Sequence, residues 1–238
     1  MKASALTDVG RTRKINQDSV YASTAAVGKL KNLFIIADGM GGHKAGDTAS
    51  RCAVEMVVET VKNSKNSSIL GVLDEAIRNA NDKVLEVAAT SEDFSGMGTT
   101  LVVATIEQGM LCVGNVGDSR LYLVGDEIRQ ITRDHSLVEE MVSIGELERS
   151  QARTHTNKNI ITRAIGADKK VMADFFEVQI NADDKFVMCS DGLSNMVEDD
   201  TIRQVIRNFP CDEAAGMLVD LANQNGGKDN ISVIIIEP

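Results

Sequence analysis

Four apolar runs in this chain border an aspartate beside glycine or another small residue, and that pairing constrains the fold more than any other feature. The segments are Leu33-Phe-Ile-Ile-Ala-Asp38-Gly-Met-Gly-Gly, Cys112-Val-Gly-Asn-Val-Gly-Asp118-Ser-Arg, Phe186-Val-Met-Cys-Ser-Asp191-Gly-Leu, and Gly226-Gly-Lys-Asp229-Asn ahead of Ile231–Ile236. Each apolar stretch is far shorter than the roughly 20 residues of a membrane span, so each is expected to be a buried strand. One Asp-Gly pair alone signals only a turn. Four beside core strands imply more, because strand ends that converge on one rim of a sheet bring distant carboxylates together. Like charges at close quarters repel, so such a cluster calls for cations.

Alternation and β-branched residues predict strands around Lys2–Thr7, Ser19–Ala22, Leu33–Ala37, Thr100–Ile106, Met110–Val116, Leu121–Val124, Phe175–Ile180, Lys185–Cys189 and Ile231–Ile236. Helical patterns cover about Asp47–Val61, Ser68–Ala89, Ser136–Ile144, Asp200–Asn208 and Asp212–Asn223. In the first, Ala53, Met56, Val57 and Val61 recur at helical spacing, a stripe that core packing explains. Many strands joined by short turns, with helices inserted in pairs, predict an α+β protein of packed antiparallel sheets with helices outside. A doubly wound parallel sheet would alternate strand and helix more regularly. With two prolines and no internal repeat or linker, residues 1–238 are expected to form one domain. The segment Gly145–Asn159 is poor in apolar residues and fits either a mobile flap or an ordinary surface loop.

The formal net charge is −10 and aromatic residues are 3% of the chain, so the clustered cations and stacking platforms of nucleic-acid binders are missing. The carboxylate excess fits a solvated acidic surface or, in part, oxygen ligands for divalent cations. The N-terminus lacks the apolar stretch of a signal peptide, and Cys52, Cys112, Cys189 and Cys211 form no CxxC pair. The expectation is therefore reduced core thiols in a cytoplasmic protein without a membrane partner. Three histidines (His43, His135, His155) and no paired cysteines argue against zinc. An all-oxygen site suits Mg²⁺ or Mn²⁺, and two such ions can share and activate a water. A phosphate bound there needs a protein cation, and Arg13 in Arg13-Lys-Ile-Asn-Gln-Asp18 is the candidate, since guanidinium matches phosphate as a bidentate fork.

The chain carries, in order, Arg13-x-x-Asn16-x-Asp18, Asp38-Gly-Met-Gly-Gly-His43, Gly98-Thr-Thr100, Gly114-Asn-Val-Gly-Asp118-Ser-Arg120, Ser190-Asp191-Gly192 and Lys228-Asp229-Asn230. In this it resembles the bacterial branch of the PP2C-type (PPM) Ser/Thr protein phosphatases over essentially its whole length. The resemblance implies a four-layer α-β-β-α sandwich, two antiparallel sheets flanked by helices, with metal ions in a cleft between the sheets. It implies that Asp38, Asp191 and Asp229 ligate a first Mn²⁺ or Mg²⁺, and that Asp38 bridges to a second ion, which also takes the Gly39 carbonyl. Asp118 joins Asp191 at a third, weaker ion. Arg13 matches the phosphate-binding arginine, and residues 136–160 match a flap subdomain beside the cleft. Asn16, Gln17 and Asn230 stand behind these ligands.

Two departures from the family pattern bear on the site. Gln17 replaces a glutamate common in the family, so Asp18 is expected to reach the second ion through water, and that ion is expected to be held weakly. Met40 stands where members outside the bacterial branch place histidine, which leaves His43 as the candidate for protonating the leaving oxygen. The implied reaction is attack of a metal-bridged hydroxide on phosphoserine or phosphothreonine, in line and without a phosphoenzyme. The sequence agrees, because no cysteine has an arginine at the Cys-x5-Arg spacing: Val58, Asp118, Asn195 and Met217 stand there. GxSxG and GxxxxGK[ST] motifs are also absent. The alternatives are a phosphatase dedicated to one regulator and a non-catalytic phosphoprotein-binding member of the fold. Degenerate members of that last kind usually lose the metal aspartates, which this chain keeps. The resemblance further implies phosphorylated Ser/Thr proteins as partners, among them a bacterial Ser/Thr kinase, and a monomer.

Overall fold

The computed structural model describes residues 1–42, 45–181 and 183–238. In chain order the elements are β1 (Lys2–Asp8), β2 (Asp18–Ser23), β3 (Leu33–Met40), α1 (Ala45–Asn63), α2 (Ile69–Ala88), β4 (Gly98–Thr99), β5 (Leu101–Glu107), β6 (Met110–Val116), β7 (Arg120–Val124) and β8 (Ile128–Gln130). There follow α3 (Leu137–Ser143), α4 (Arg149–Ala152), β9 (Asp174–Gln179), β10 (Lys185–Cys189), α5 (Asp191–Ser194), α6 (Asp199–Asn208), α7 (Cys211–Gln224) and β11 (Ile231–Glu237).

The alternation along β3 explains the layering. Leu33, Ile35 and Ala37 face one way and pack with Ala49, Ala53, Val57, Leu73 and Ile77 of α1 and α2. Phe34 and Ile36 face the other way, into a core shared with Leu121, Phe186, Met188, Ile234 and Ile236. A strand buried on both faces reads as a continuous apolar run, which is why Leu33–Ala37 shows no polar residue. On the far side, Val187, Ile235 and Tyr122 pack under α6 and α7 through Ile202, Ile206, Leu218 and Ala222. Helices, sheet, sheet and helices thus form the four layers that the resemblance implies.

One sheet has the order β1-β11-β10-β7-β8, the other β2-β3-β5-β6-β9 with β4 paired to β3. All the pairings are antiparallel, and register is fixed by the two-sided burial: Phe186 lies opposite Ile236 and Leu123, Ile36 opposite Val20 and Val102. The nine predicted strands and five predicted helices are present with ends within two residues, except that the third strand runs three residues further, to Met40. The structure adds β4 and β8, and the short helices α4 and α5. Residues 145–159 are not a bare loop: they carry α4, and Arg153 donates to Glu198 at 2.9 Å and to the Val197 carbonyl at 2.8 Å. Among the described residues, no helix is long and apolar enough to cross a membrane.

Phe186 is fully buried between the sheets. Its replacement by alanine is expected to lower unfolding stability by about 3–5 kcal/mol in a urea titration, the usual cost of an aromatic cavity. A loss below about 1 kcal/mol would contradict a tightly packed inter-sheet layer.

Candidate metal centre

The two sheets bring their aspartates to one rim of the sandwich. Asp18 and Asp38 lie opposite each other in the β2–β3 register. Asp118 follows β6 in the crossing to β7, Asp191 follows β10, and Asp229 precedes β11. The Asp-Gly pair at Asp191 has a steric cause: a Cβ on Gly192 would fall 1.9 Å from the Asn230 carbonyl oxygen. Only glycine lets the turn after β10 lie against the segment leading into β11, and so sets Asp191 beside Asp229.

Backbone bonds fix the positions of the carboxylates. The Asp38 amide donates to Thr100 Oγ1 at 2.9 Å, and the Thr100 amide donates back to the Asp38 carbonyl at 2.9 Å. Thr100 Oγ1 also meets Ser119 Oγ at 2.8 Å, which pins the segment after Asp118 to β3. Asn230 takes the Gln17 amide on Oδ1 at 2.8 Å and donates to the Val9 and Ile15 carbonyls at 2.9 and 3.0 Å. Asn16 accepts from the Asp18 amide at 3.1 Å, and the Gln17 carbonyl accepts from the Gly39 amide at 3.1 Å. Asn16, Gln17, Gly39 and Asn230 therefore frame the cluster through main-chain contacts.

The electrostatics follow from burial and crowding. Burial pushes the Asp18 carboxyl up to about 7 against two hydroxyl bonds, from Ser232 at 2.6 Å and Ser190 at 2.8 Å, with the charges of Asp191 and Asp229 adding to the rise. Burial, then the charges of Asp191 and Asp134, pushes Asp118 up to about 8. Burial and Asp229 push Asp191 up to about 6. Asp38 is raised well above the usual range by burial and by Asp18, Asp191, Asp118 and Asp229. Asp38 and Asp191 are half-buried, so the cluster opens to solvent on one side.

The donor set is all oxygen, and two of its atoms, Asp18 Oδ1 and Asp191 Oδ1, are buried without a hydrogen-bond partner. Among the described residues no three or more His, Cys, Asp or Glu side chains stand as a ready-made cage. The side chains are turned to local partners instead. Asp229 Oδ2 accepts from Arg13 Nη2 at 2.8 Å, and Asp191 Oδ2 accepts from Asn195 Nδ2 at 3.0 Å. Crowded, protonation-prone carboxylates with buried spare oxygens fit a divalent hard cation, which relieves the repulsion and uses those atoms. His43 lies outside the described residues.

The family model for Protein phosphatase 2C matches residues 10–224. The chain belongs to the protein phosphatase 2C family. The serine/threonine phosphatase stp of Listeria innocua is 39% identical over 245 residues, covering 100% of this chain and 96% of the relative. The Stp1 serine/threonine phosphatase of Staphylococcus aureus superposes with a TM-score of 0.93 at 32% identity, covering 100% and 94% of the two chains. The catalytic domain of the phosphatase PstP, solved in complex with 2 manganese ions, gives 0.86 at 33% identity, covering 98% and 96%. The chain is accordingly a metal-dependent serine/threonine protein phosphatase of bacterial type.

Beside the aspartates of this protein phosphatase 2C lies a cavity of about 230 Å³ between Asp118 and Asp191 on one side and Arg149, Arg153 and Lys158 on the other. Sequence reasoning did not single out these cations, because lone basic residues in a polar segment resemble a solvated surface. Lys158 Nζ donates to Asn195 Oδ1 at 3.1 Å, and Asn195 holds Asp191. Ser232 was equally hidden, and Ser190 stood in its motif without a role, since serines at strand ends carry no metal signature.

A carboxyl whose folded pKa lies above its unfolded value of roughly 4 favours folding while protonated; that contribution is full below about pH 4 and is lost as pH rises through the folded value. With Asp191, Asp18 and Asp118 at about 6, 7 and 8, EDTA-treated protein is expected to lose thermal stability from about pH 5 to pH 8. Mn²⁺ is expected to restore it at the upper end, and Asp118→Asn to flatten the decline. A melting temperature that does not move over this window would contradict the electrostatic description.

Proposed function

We propose that this phosphatase cleaves phosphoserine and phosphothreonine esters in proteins by direct in-line attack of water on phosphorus, with Asp38, Asp191 and Asp229 holding the Mn²⁺ or Mg²⁺ ions. The observation that carries this reading is the meeting of these three aspartates at one open rim, drawn from three separated strand ends in two sheets. When bound, a pair of ions lowers the pKa of a shared water and neutralises charge on the phosphoryl oxygens.

The residues divide the remaining work. Asp38, its backbone held by Thr100, and the Gly39 carbonyl serve the second ion. Gln17 brings no charge to that ion, so Asp18 acts there at one remove and the ion is the more easily lost. Asp118 and Asp191 serve a third, weaker ion. Arg13, already hydrogen-bonded at Asp229, has the fork geometry to grip a phosphate beside the cluster. His43 is the candidate to protonate the leaving serine or threonine oxygen. A cysteinyl-phosphate route finds no support, because burial pushes the Cys112 thiol up to about 11 and Cys189 to about 12. Residues 1–238 act as one domain in this reading, residues 136–160 form a flap over the cavity beside Asp118 and Asp191, and the substrates include a cognate Ser/Thr kinase met by a cytoplasmic monomer.

Asp191→Asn is expected to reduce Mn²⁺-dependent hydrolysis of a phosphothreonine peptide by more than about 100-fold, since even residues behind metal ligands cost 10- to 100-fold. Turnover within twofold of the parent protein would sink the assignment of Asp191. EDTA is expected to abolish turnover and excess Mn²⁺ to restore it.

A further inference from the structure

His135 enters the sequence reading only as one of three scarce histidines. In the fold it is buried, at 4% exposure, and makes four hydrogen bonds that no part of the proposed reaction uses. Its backbone amide donates to the Gly117 carbonyl at 2.9 Å, and its ring Nδ1 accepts from the Gly117 amide at 3.1 Å. Its own carbonyl accepts from the Thr162 amide at 2.8 Å, and its Nε2 lies 3.2 Å from Asp174 Oδ2. The residue after Gly117 is Asp118.

These contacts fix the protonation state of the ring. An Nδ1 that accepts carries a lone pair, so the proton of the neutral ring sits on Nε2, where the Asp174 carboxylate receives it. Arg163 Nη1, 3.3 Å from Nε2, cannot accept a proton and instead donates to Asp174 Oδ1 at 2.9 Å, holding that carboxylate in place. Asp174 lies opposite Asn115 in the β6–β9 register, and Asn115 Nδ2 reaches the Arg133 carbonyl at 2.9 Å. The turn requires glycine at this position, because Gly117 has φ +106° and a Cβ there would fall 2.6 Å from Thr100 Cγ2.

We propose that His135, oriented by Asp174, is a positioning residue for Asp118: it clamps both polar groups of Gly117 and so holds the Asp118 carboxylate in the geometry that receives a divalent cation. The clamp also joins that turn to Thr162, where the chain leaves the segment proposed as a flap. The inference rests on the reading of Asp118 as a ligand to the weakest ion. It differs from a packing role in one respect: packing needs the volume of the ring, whereas the clamp needs an acceptor at Nδ1.

Two variants separate these roles. His135→Asn keeps an acceptor oxygen near the position of Nδ1, and His135→Leu keeps bulk without one. In EDTA-treated protein, amide exchange at Gly117 by NMR is expected to be at least about 10-fold faster in His135→Leu than in the parent, with His135→Asn close to the parent. In calorimetric titration with Mn²⁺, the weakest-bound ion is expected to weaken about 10- to 100-fold in His135→Leu, with the tighter ions within twofold and most of the loss recovered in His135→Asn. Asp118→Asn, measured beside them, is expected to lose that ion. If Asp118→Asn loses the ion while His135→Leu keeps parental affinity, the clamp is wrong and the ligand reading stands. If Asp118→Asn leaves every ion unchanged, the ligand reading fails and the clamp with it. Should His135→Leu not fold, Asp174→Ala carries the same comparison, with parental Gly117 exchange and Mn²⁺ affinity overturning the proposal.

Discussion

Repulsion among the carboxylates of Asp18, Asp38, Asp118, Asp191 and Asp229 is the constraint on which the rest of this structure depends. Separated by long stretches of chain, they meet because the ends of strands from both sheets share one rim. Left alone, such a group would spread or stay protonated, and four of the five have carboxyl groups pushed upward by burial and by one another. What keeps them together is a set of backbone and hydroxyl contacts. Thr100 holds the main chain of Asp38 from both sides, Ser190 and Ser232 hold Asp18, and Asn230 laces the segment before Asp18 to the start of β11. The inter-sheet core behind them, from Phe34 to Ile236, supplies the stability that the crowded rim consumes.

That division explains the chemistry open to the site. A rigid frame with crowded oxygen donors favours hard cations over zinc, and burial raises the Cys112 and Cys189 thiols away from the thiolate form a sulfur nucleophile needs. The basic residues beside the rim belong to a segment that reaches back to the sandwich through Arg153 and Lys158. Around the cavity beside Asp118 and Asp191 these cations are mixed with Asp134, Glu139 and Asp199, and Arg149 and Arg153 already pair with Glu139 and Glu198.

Much of this was legible in the sequence, for physical reasons that can be named. Strands buried on both faces, such as Leu33–Ala37 and Ile231–Ile236, have no polar interruption and declared themselves. Asp38, Asp118, Asp191 and Asp229 showed because each sits where such a run meets a glycine-bearing turn, whereas Asp18 came only with the family resemblance. β4 and β8 did not show, because two or three residues such as Ile128-Arg-Gln130 carry no period. The helix α5 was hidden inside the Asp191-Gly192 turn signal, whose glycine is there for the close approach of Asn230 rather than for flexibility. The supporting shell was the least legible part. Ser232, Lys158 and His135 act through bonds to residues far away in sequence, and no local spacing announces such contacts.

The central claim is that these aspartates form an oxygen-only centre for divalent ions. Crystals grown with Mn²⁺ and measured at a wavelength where manganese scatters anomalously test it most directly. The account predicts anomalous peaks about 2.0–2.3 Å from carboxylate oxygens of Asp38, Asp191 and Asp229, with a weaker peak shared by Asp118 and Asp191. Peaks confined to other parts of the surface, with these carboxylates still turned to Arg13, Asn195 and the serines, would contradict it.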